Sequence, residues 1–264
     1  MAKTLDGKKE ADKILRRLQK LCAGRRPITL ATIQVGQRAD SSLYLKLKTA
    51  AARRIGMKTI AFLLPDPTSQ ARLAAVIRKL NRRKSVHGIL LQLPLPKHLN
   101  ANHAVGIISP KKDVDGFGKK SMVPSPTIFA VLRLLQLAKP KKHSIVTILG
   151  RDSVFTEQLA ELLARLHYRA FIVASRGDWS SHTKQADVVI TVLGRGPRLQ
   201  AKDIVRGAII IDVGIRRRKG RTVGDVAPSV WGKAKAVSPV PGGVGPLTVA
   251  GVLWNTYQLA SPER

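Results

Sequence analysis

The stretch Ile28-Thr29-Leu30-Ala31-Thr32-Ile33-Gln34-Val35, then Gly36-Gln37-Arg38, then Ala39-Asp40-Ser41-Ser42-Leu43-Tyr44-Leu45-Lys46-Leu47-Lys48 decides how this chain is read. Its first eight residues are mostly apolar and predict a strand, which the Gly36 break ends. Asp40 or Ser41 then stands where it can cap a helix running through Ala50-Ala51-Ala52 to a stop at Gly56. Working outward, apolar runs and helical patterns alternate almost from end to end. Strands are predicted over 28–35, 58–64 and 87–93, with a helix over 69–82 that keeps Leu73, Val76, Ile77 and Leu80 on one face. Such alternation argues a mainly parallel sheet covered by helices. Residues 109–118 change to turns, and Pro124-Ser125-Pro126 leads through a helix over 127–138 into a second unit. That unit has apolar runs at 144–149, 170–175, 187–193 and 208–215, a helix over 154–167, and a closing helix over 247–259.

Several residue groups point to chemistry. Tyr44 and Lys48 are four apart and share a helix face. A phenol ring can stack on a flat substrate or donate to it, and a partly desolvated lysine can move a proton near neutral pH. Pro94 and Pro96 end the third strand and place Gln92 at its carboxyl end, where open α/β sheets bind ligands. Asp113 and Asp115 sit in a turn within a basic segment, where each reads equally as a salt-bridge partner. A dinucleotide-binding turn is expected after the strand over 144–149, and Gly150-Arg151-Asp152-Ser153 stands there with one glycine of the three such a turn uses. Arg151, and Ser175-Arg176 after the next strand, are placed to grip a ribose phosphate. Pro239-Val240-Pro241-Gly242-Gly243-Val244-Gly245-Pro246 reads as an anion or carbonyl cradle just ahead of a helix.

Composition narrows the function classes. The 264 residues are 44% hydrophobic and 4% aromatic, enough for one or two buried cores. No apolar run approaches the roughly 18 residues of a membrane span, and the start lacks the apolar core of a secretory signal. A lone Cys22 excludes an intramolecular disulfide framework and fits a reducing, cytoplasmic setting. The 47 basic residues against 16 acidic give a net charge of +31 and predict nonspecific adhesion to polyanions such as nucleic acid. They come as pairs and short runs, without zinc-finger spacing or an aromatic–basic stripe, and no metal ligand is assigned.

Taken together, the motifs resemble the bifunctional methylenetetrahydrofolate dehydrogenase/methenyltetrahydrofolate cyclohydrolase family. The resemblance is carried by Val35-Gly36 through Ser42, Tyr44 and Lys48, by 88–96, by Lys112-Asp113-Val114-Asp115-Gly116-Phe117, by 211–215, by Gly224-Asp225-Val226 and by 239–248, in that order. It implies that Tyr44 stacks on a pterin ring, that Lys48 handles the proton, and that Gln92 orients Lys48. Asp115 would accept hydrogen bonds from the pterin, and Gly243, Val244, Pro246 and Thr248 would bind substrate. Gly150, Arg151, Asp152, Ser153, Ser175, Arg176 and Ile215 would bind the cofactor. That cofactor is NADP in preference to NAD, because Arg151 and Ser175 match positions that hold the extra phosphate. The substrates are tetrahydrofolate derivatives of one-carbon metabolism and purine biosynthesis, and the implied assembly is a homodimer.

The resemblance also sets the expected architecture: two α/β domains with a cleft between them, the second Rossmann-like. Residues 1–122 form the folate-binding domain, completed by a C-terminal helix at 246–264 that packs back on it, and 123–245 form the nucleotide domain. The chain departs from the family at two places. The turn usually written Gly-Arg-Ser-x-x-Val-Gly-x-Pro has Asp152 for the serine and Phe155-Thr156 near the Val-Gly, which puts bulk and negative charge where the cofactor approaches. The segment between Phe117 and Pro124 is short, without His-Pro-x-Asn-x-Gly. Two other readings therefore stand beside the bifunctional one: a cyclohydrolase that has lost the dehydrogenase step, and a non-catalytic basic protein binding RNA or a ribonucleoprotein.

Overall fold

The computed structural model describes residues 1–24, 26–36, 39–118, 120–218 and 220–261; for 39–44 it describes the backbone alone. In chain order the elements are β1 (Lys3–Thr4), α1 (Gly7–Cys22), β2 (Thr29–Val35), α2 (Ala39–Arg54), β3 (Lys58–Leu64), α3 (Gln70–Arg82), β4 (Gly88–Leu91) and α4 (Ala101–Ile107). There follow α5 (Pro126–Ala138), β5 (Ile145–Leu149), α6 (Val154–Arg165), β6 (Arg169–Val173), α7 (Ser180–Thr183), β7 (Val188–Thr191), β8 (Ile209–Asp212), β9 (Arg216–Arg218), β10 (Arg221–Val223), β11 (Ala236–Val237) and α8 (Val244–Ala260). They form two compact units, one of 11–126 with 249–264 and one of 1–10 with 127–248.

In the first of these units β2 pairs in parallel with β3 on one side and β4 on the other. Every residue of β2 is buried, which is why it reads as a continuous apolar run and not as an alternation. Ala31, Ile33 and Val35 pack with Ile89 and Leu91 against Leu73, Ile77 and Leu80 of α3. Ser69 caps α3 by accepting the Arg72 N–H, satisfying one donor of the first turn. The order β3-β2-β4 reverses direction at β2, so the carboxyl ends of β2 and β4 flank a topological switch point, the place where such sheets take ligands.

The other unit holds a six-stranded sheet in the order β1-β11-β8-β7-β5-β6, parallel throughout. Its order reverses at β5, so the turn containing Gly150 lies at a second switch point. A core of Leu149, Val173, Val189, Ile210, Val230 and Val237 lies on one side of the sheet. The antiparallel pair β9–β10 stands apart as a small hairpin.

Three boundaries differ from the sequence reading. Helix α2 already includes Ala39, so Asp40 and Ser41 lie inside its first turn and do not cap it; residues 37 and 38 fall outside the described chain. Helix α8 begins at Val244, which puts Gly245 and Pro246 in its first turn. Proline is tolerated there because the N–H it lacks has no partner within the helix. The run over 208–215 is a strand only to Asp212, whose carboxylate accepts the N–H of Gly214 and turns the chain.

Candidate active site

Lys48 lies four residues into α2 beyond Tyr44 and is buried, with 8% of its surface exposed. Its Nζ donates to Oε1 of Gln92 at 3.3 Å. Gln92 follows β4 directly: its backbone N–H donates to the Ile33 carbonyl at 2.8 Å and its side-chain Nε2 donates to the Leu93 carbonyl at 2.8 Å. A carbonyl on one side and an ammonium on the other orient the amide, leaving Oε1 toward Lys48. Burial holds the Lys48 ammonium below its usual range, against the attraction of the Asp115 carboxylate.

Asp115 shows the converse shift. Its side chain keeps some solvent contact, but the carboxyl is closely surrounded by protein. Burial pushes it up to about 6, the Lys48 charge draws it down, and Asp113 adds to the rise. An amine pulled down and a carboxyl pushed up are the environment in which protons exchange near neutral pH.

The turn carrying Asp115 is built from inside. Asp113 is 1% exposed and accepts the N–H groups of Gly116 at 3.0 Å and Gly118 at 2.8 Å, and among the described residues no ion pair reaches it. Gly116 has φ +67°, and a Cβ there would stand 2.6 Å from the Ser125 nitrogen and the Val123 oxygen, so only glycine fits. The buried Asn255 of α8 donates to the Val114 carbonyl at 2.9 Å and the Pro124 carbonyl at 2.8 Å, pinning both ends of the turn. Lys112 accepts the Ile89 N–H at its carbonyl (2.7 Å), and its Nζ donates to the carbonyls of Leu80, Asn81 and Arg83 at 2.8–3.0 Å. It thus caps the negative end of α3 while anchoring the Asp115 turn to β4. The side chain of Tyr44 lies outside what is described, and its backbone stands one helical turn before Lys48.

In the six-stranded unit, Gly150 ends β5 and a Cβ there would meet Val192 at 3.2 Å. Arg151 and Asp152 are exposed, and Ser153 caps α6 in a box with Thr156: the Thr156 N–H donates to Ser153 Oγ at 3.3 Å and the Ser153 N–H to Thr156 Oγ1 at 3.0 Å. Thr156 is fully buried, and its hydroxyl also lies at 3.1 Å from the Arg151 carbonyl. The Thr156 side chain is therefore turned into the loop, while Phe155 is half-buried and Asp152 exposed. Ser175 is half-buried after β6, Arg176 is exposed beside it, and Ile215 is exposed after β8. A glycine turn at a switch point, an open first turn of α6 and two exposed guanidinium groups fit a dinucleotide phosphate. Gly243 donates its N–H to the Pro239 carbonyl at 2.7 Å, Val244 is buried, and Pro246 and Thr248 follow in the first turns of α8.

The family described as tetrahydrofolate dehydrogenase/cyclohydrolase, catalytic domain, matches residues 5–115, and its NAD(P)-binding domain matches 125–264. The chain belongs to this family. It is 38% identical over 277 residues to the bifunctional protein FolD of Halalkalibacterium halodurans, covering 97% of this chain and 98% of that protein. It is 37% identical over 287 residues to the bifunctional protein FolD 3 of Ectopseudomonas mendocina, covering 99% and 92%. Among solved structures it resembles the bifunctional enzyme FolD of Campylobacter jejuni, with TM-score 0.93, 33% identity and 99% of each chain covered. It also resembles the Trypanosoma brucei N5,N10-methylenetetrahydrofolate dehydrogenase-cyclohydrolase complexed with NADP cofactor and inhibitor, with TM-score 0.91, 31% identity, and 98% and 97% covered. The family fold is two α/β domains with a Rossmann-like nucleotide domain, as the sequence implied.

Sequence reasoning gave no role to Asn255, Asp212 or Asp225, and read Asp113 only as a salt-bridge partner. All four are buried polar groups held mainly by main-chain atoms, with the Thr191 hydroxyl also on Asp212. The Asp-Val-Gly and Gly-Asp-Val triplets were the available signal, since glycine beside aspartate marks close backbone approach.

Proposed function

We propose that this enzyme oxidises methylenetetrahydrofolate to methenyltetrahydrofolate with NADP and hydrolyses the product to formyltetrahydrofolate, with Lys48 handling the proton. The buried Lys48, held by Gln92 beside Asp115, carries this reading. NADP supplies the acceptor for the hydride leaving the methylene bridge. The methenyl cation is its own electrophile, so hydrolysis asks the protein for a positioned water and a place for its proton. Desolvation lowers the proton affinity of Lys48 Nζ, which makes it a better proton donor, and Gln92 keeps Nζ on one heading. Asp115 is assigned to the pterin's amino and ring N–H groups, and Tyr44 to its face. Gly243, Val244, Pro246 and Thr248 are assigned to substrate binding.

Gly150, Arg151, Asp152, Ser153, Ser175, Arg176 and Ile215 are assigned to NADP, the exposed Arg151 and Arg176 favouring its extra phosphate over NAD. We assign residues 1–122 with 246–264 to folate and 123–245 to the nucleotide. The assembly we propose is a cytoplasmic homodimer, testable by light scattering. Among the described residues no helix is long and apolar enough to cross a membrane. The +31 charge supports weak, salt-sensitive adhesion to polyanions.

The deciding experiment is spectrophotometric: purified protein with methylenetetrahydrofolate and NADP, then with methenyltetrahydrofolate alone. Both activities are expected, and methenyl hydrolysis should fall to background in Lys48→Ala. Hydrolysis without NADP reduction would reduce the proposal to a cyclohydrolase. Neither activity in folded protein would overturn it in favour of a polyanion-binding role.

A further inference from the structure

At the carboxyl ends of β7 and β8 two aspartates are locked together. Asp212 and Asp225 are 2% and 0% exposed, and among the described residues no ion pair reaches either. Asp212 Oδ1 accepts from the N–H groups of Gly214 (3.0 Å) and Asp225 (3.1 Å) and from Thr191 Oγ1 (2.9 Å), while Oδ2 accepts from the Val226 N–H (3.0 Å). Asp225 Oδ2 accepts the N–H groups of Leu193 (2.7 Å) and Gly194 (3.0 Å), and Oδ1 that of Arg195 (3.0 Å). Three successive main-chain N–H groups closing on one carboxylate form an anion nest filled by the chain's own side chain. The packing admits no alternative: a Cβ on Gly214 would lie 1.8 Å from Asp225 Oδ2, and one on Gly224 2.0 Å from Asp212 Oδ2.

Two buried carboxylates without a cation are disfavoured by desolvation, and well-packed apolar residues of similar volume would stabilise the fold at least as well. What this pair supplies is position. Asp225 fixes the 193–195 loop that follows β7, and Asp212 fixes the turn through Gly214 that leads to Ile215 after β8. Those strands are neighbours, with Thr191 opposite Asp212. Both loops lie at the carboxyl edge of the nucleotide sheet. We propose that Asp225, with Asp212, is a positioning residue of the cofactor site, holding the 193–195 and 213–215 loops in the form that receives NADP. This rests on the NADP reading above.

Asp225→Asn keeps the volume but turns one acceptor oxygen into a donor facing main-chain N–H groups. Isothermal titration of the full-length variant with NADP should show at least tenfold weaker binding. KM for NADP should rise in parallel, with kcat at saturating NADP within about threefold of wild type. Methenyl hydrolysis, assigned to Lys48 in the other unit, should stay within twofold and reports that the variant is folded. Hydrogen exchange on wild-type protein without NADP supplies a test independent of the variant: residues 193–195, 213 and 214, whose N–H groups are all bonded, should be clearly protected. Unchanged NADP affinity in folded Asp225→Asn, or wild-type loops that exchange as fast as unprotected chain, would overturn the proposal. Wild-type protein that binds no NADP would overturn the cofactor reading itself.

Discussion

Replacing Asp115 by asparagine should stabilise the protein at neutral pH while disabling it. The buried carboxyl ionises at about 6 in the folded chain and at 3.8 in the reference state, so the native protein holds this proton more tightly than the unfolded one. Stability tied to that proton is present in full below 3.8 and is lost as pH rises through about 6. The rise corresponds to about 3 kcal/mol at pH 7. Lys48 is already included in that balance, since its attraction is what keeps the shift from being larger. Asparagine has the same shape and no charge to desolvate, so Asp115→Asn should gain up to about 3 kcal/mol at pH 7 and almost nothing near pH 4. Urea denaturation by circular dichroism at pH 4, 5.5 and 7 reads the difference as a growing separation of midpoints. Methenyl hydrolysis should fall by about a hundredfold or more, because the charged acceptor for the pterin N–H groups is gone. A variant no more stable than wild type at pH 7, or a stability difference constant from pH 4 to 7, would refute the reasoning.

Other perturbations separate the remaining parts. Gln92→Leu removes the acceptor of the Lys48 ammonium, so the lysine should titrate lower still and methenyl hydrolysis should fall about tenfold, with its pH profile displaced to lower pH. Gly116→Ala must place a Cβ against the Val123–Ser125 backbone at positive φ, and should cost about 2 kcal/mol or more in urea denaturation. Lys112→Met uncovers three carbonyls at the end of α3, and a loss of about 1–2 kcal/mol is expected with faster amide exchange in that helix.

Much of this protein is written locally. The runs that became β2, β5, β7 and β8 announce themselves because central parallel strands are apolar on both faces. The edge strands β3 and β6 are only partly buried and show as shorter-range apolar runs, while α3 and α6 show because a helix repeats every 3.6 residues. Lys48 could be singled out from type and spacing and Gln92 from its place after the third strand, Asp115 only through the resemblance, and the family from six motifs in order. Tertiary structure alone decided what pairs with what. Lys3–Thr4 is too short to carry a pattern, yet it closes the six-stranded sheet on β11, itself two residues long. The hairpin of β9 and β10 hides in a run of arginines that reads as surface charge. Lys112 looks like any other cation of a +31 chain until its ammonium is seen on the end of α3, and Asp113 like a salt-bridge partner until its carboxylate is seen on Gly116 and Gly118. The reason is physical: periodicity and propensity are properties of a few consecutive residues. The partner of a buried polar group is set by how the chain folds around it, from elements tens of residues away for Lys112 and from a turn whose shape no local pattern shows for Asp113.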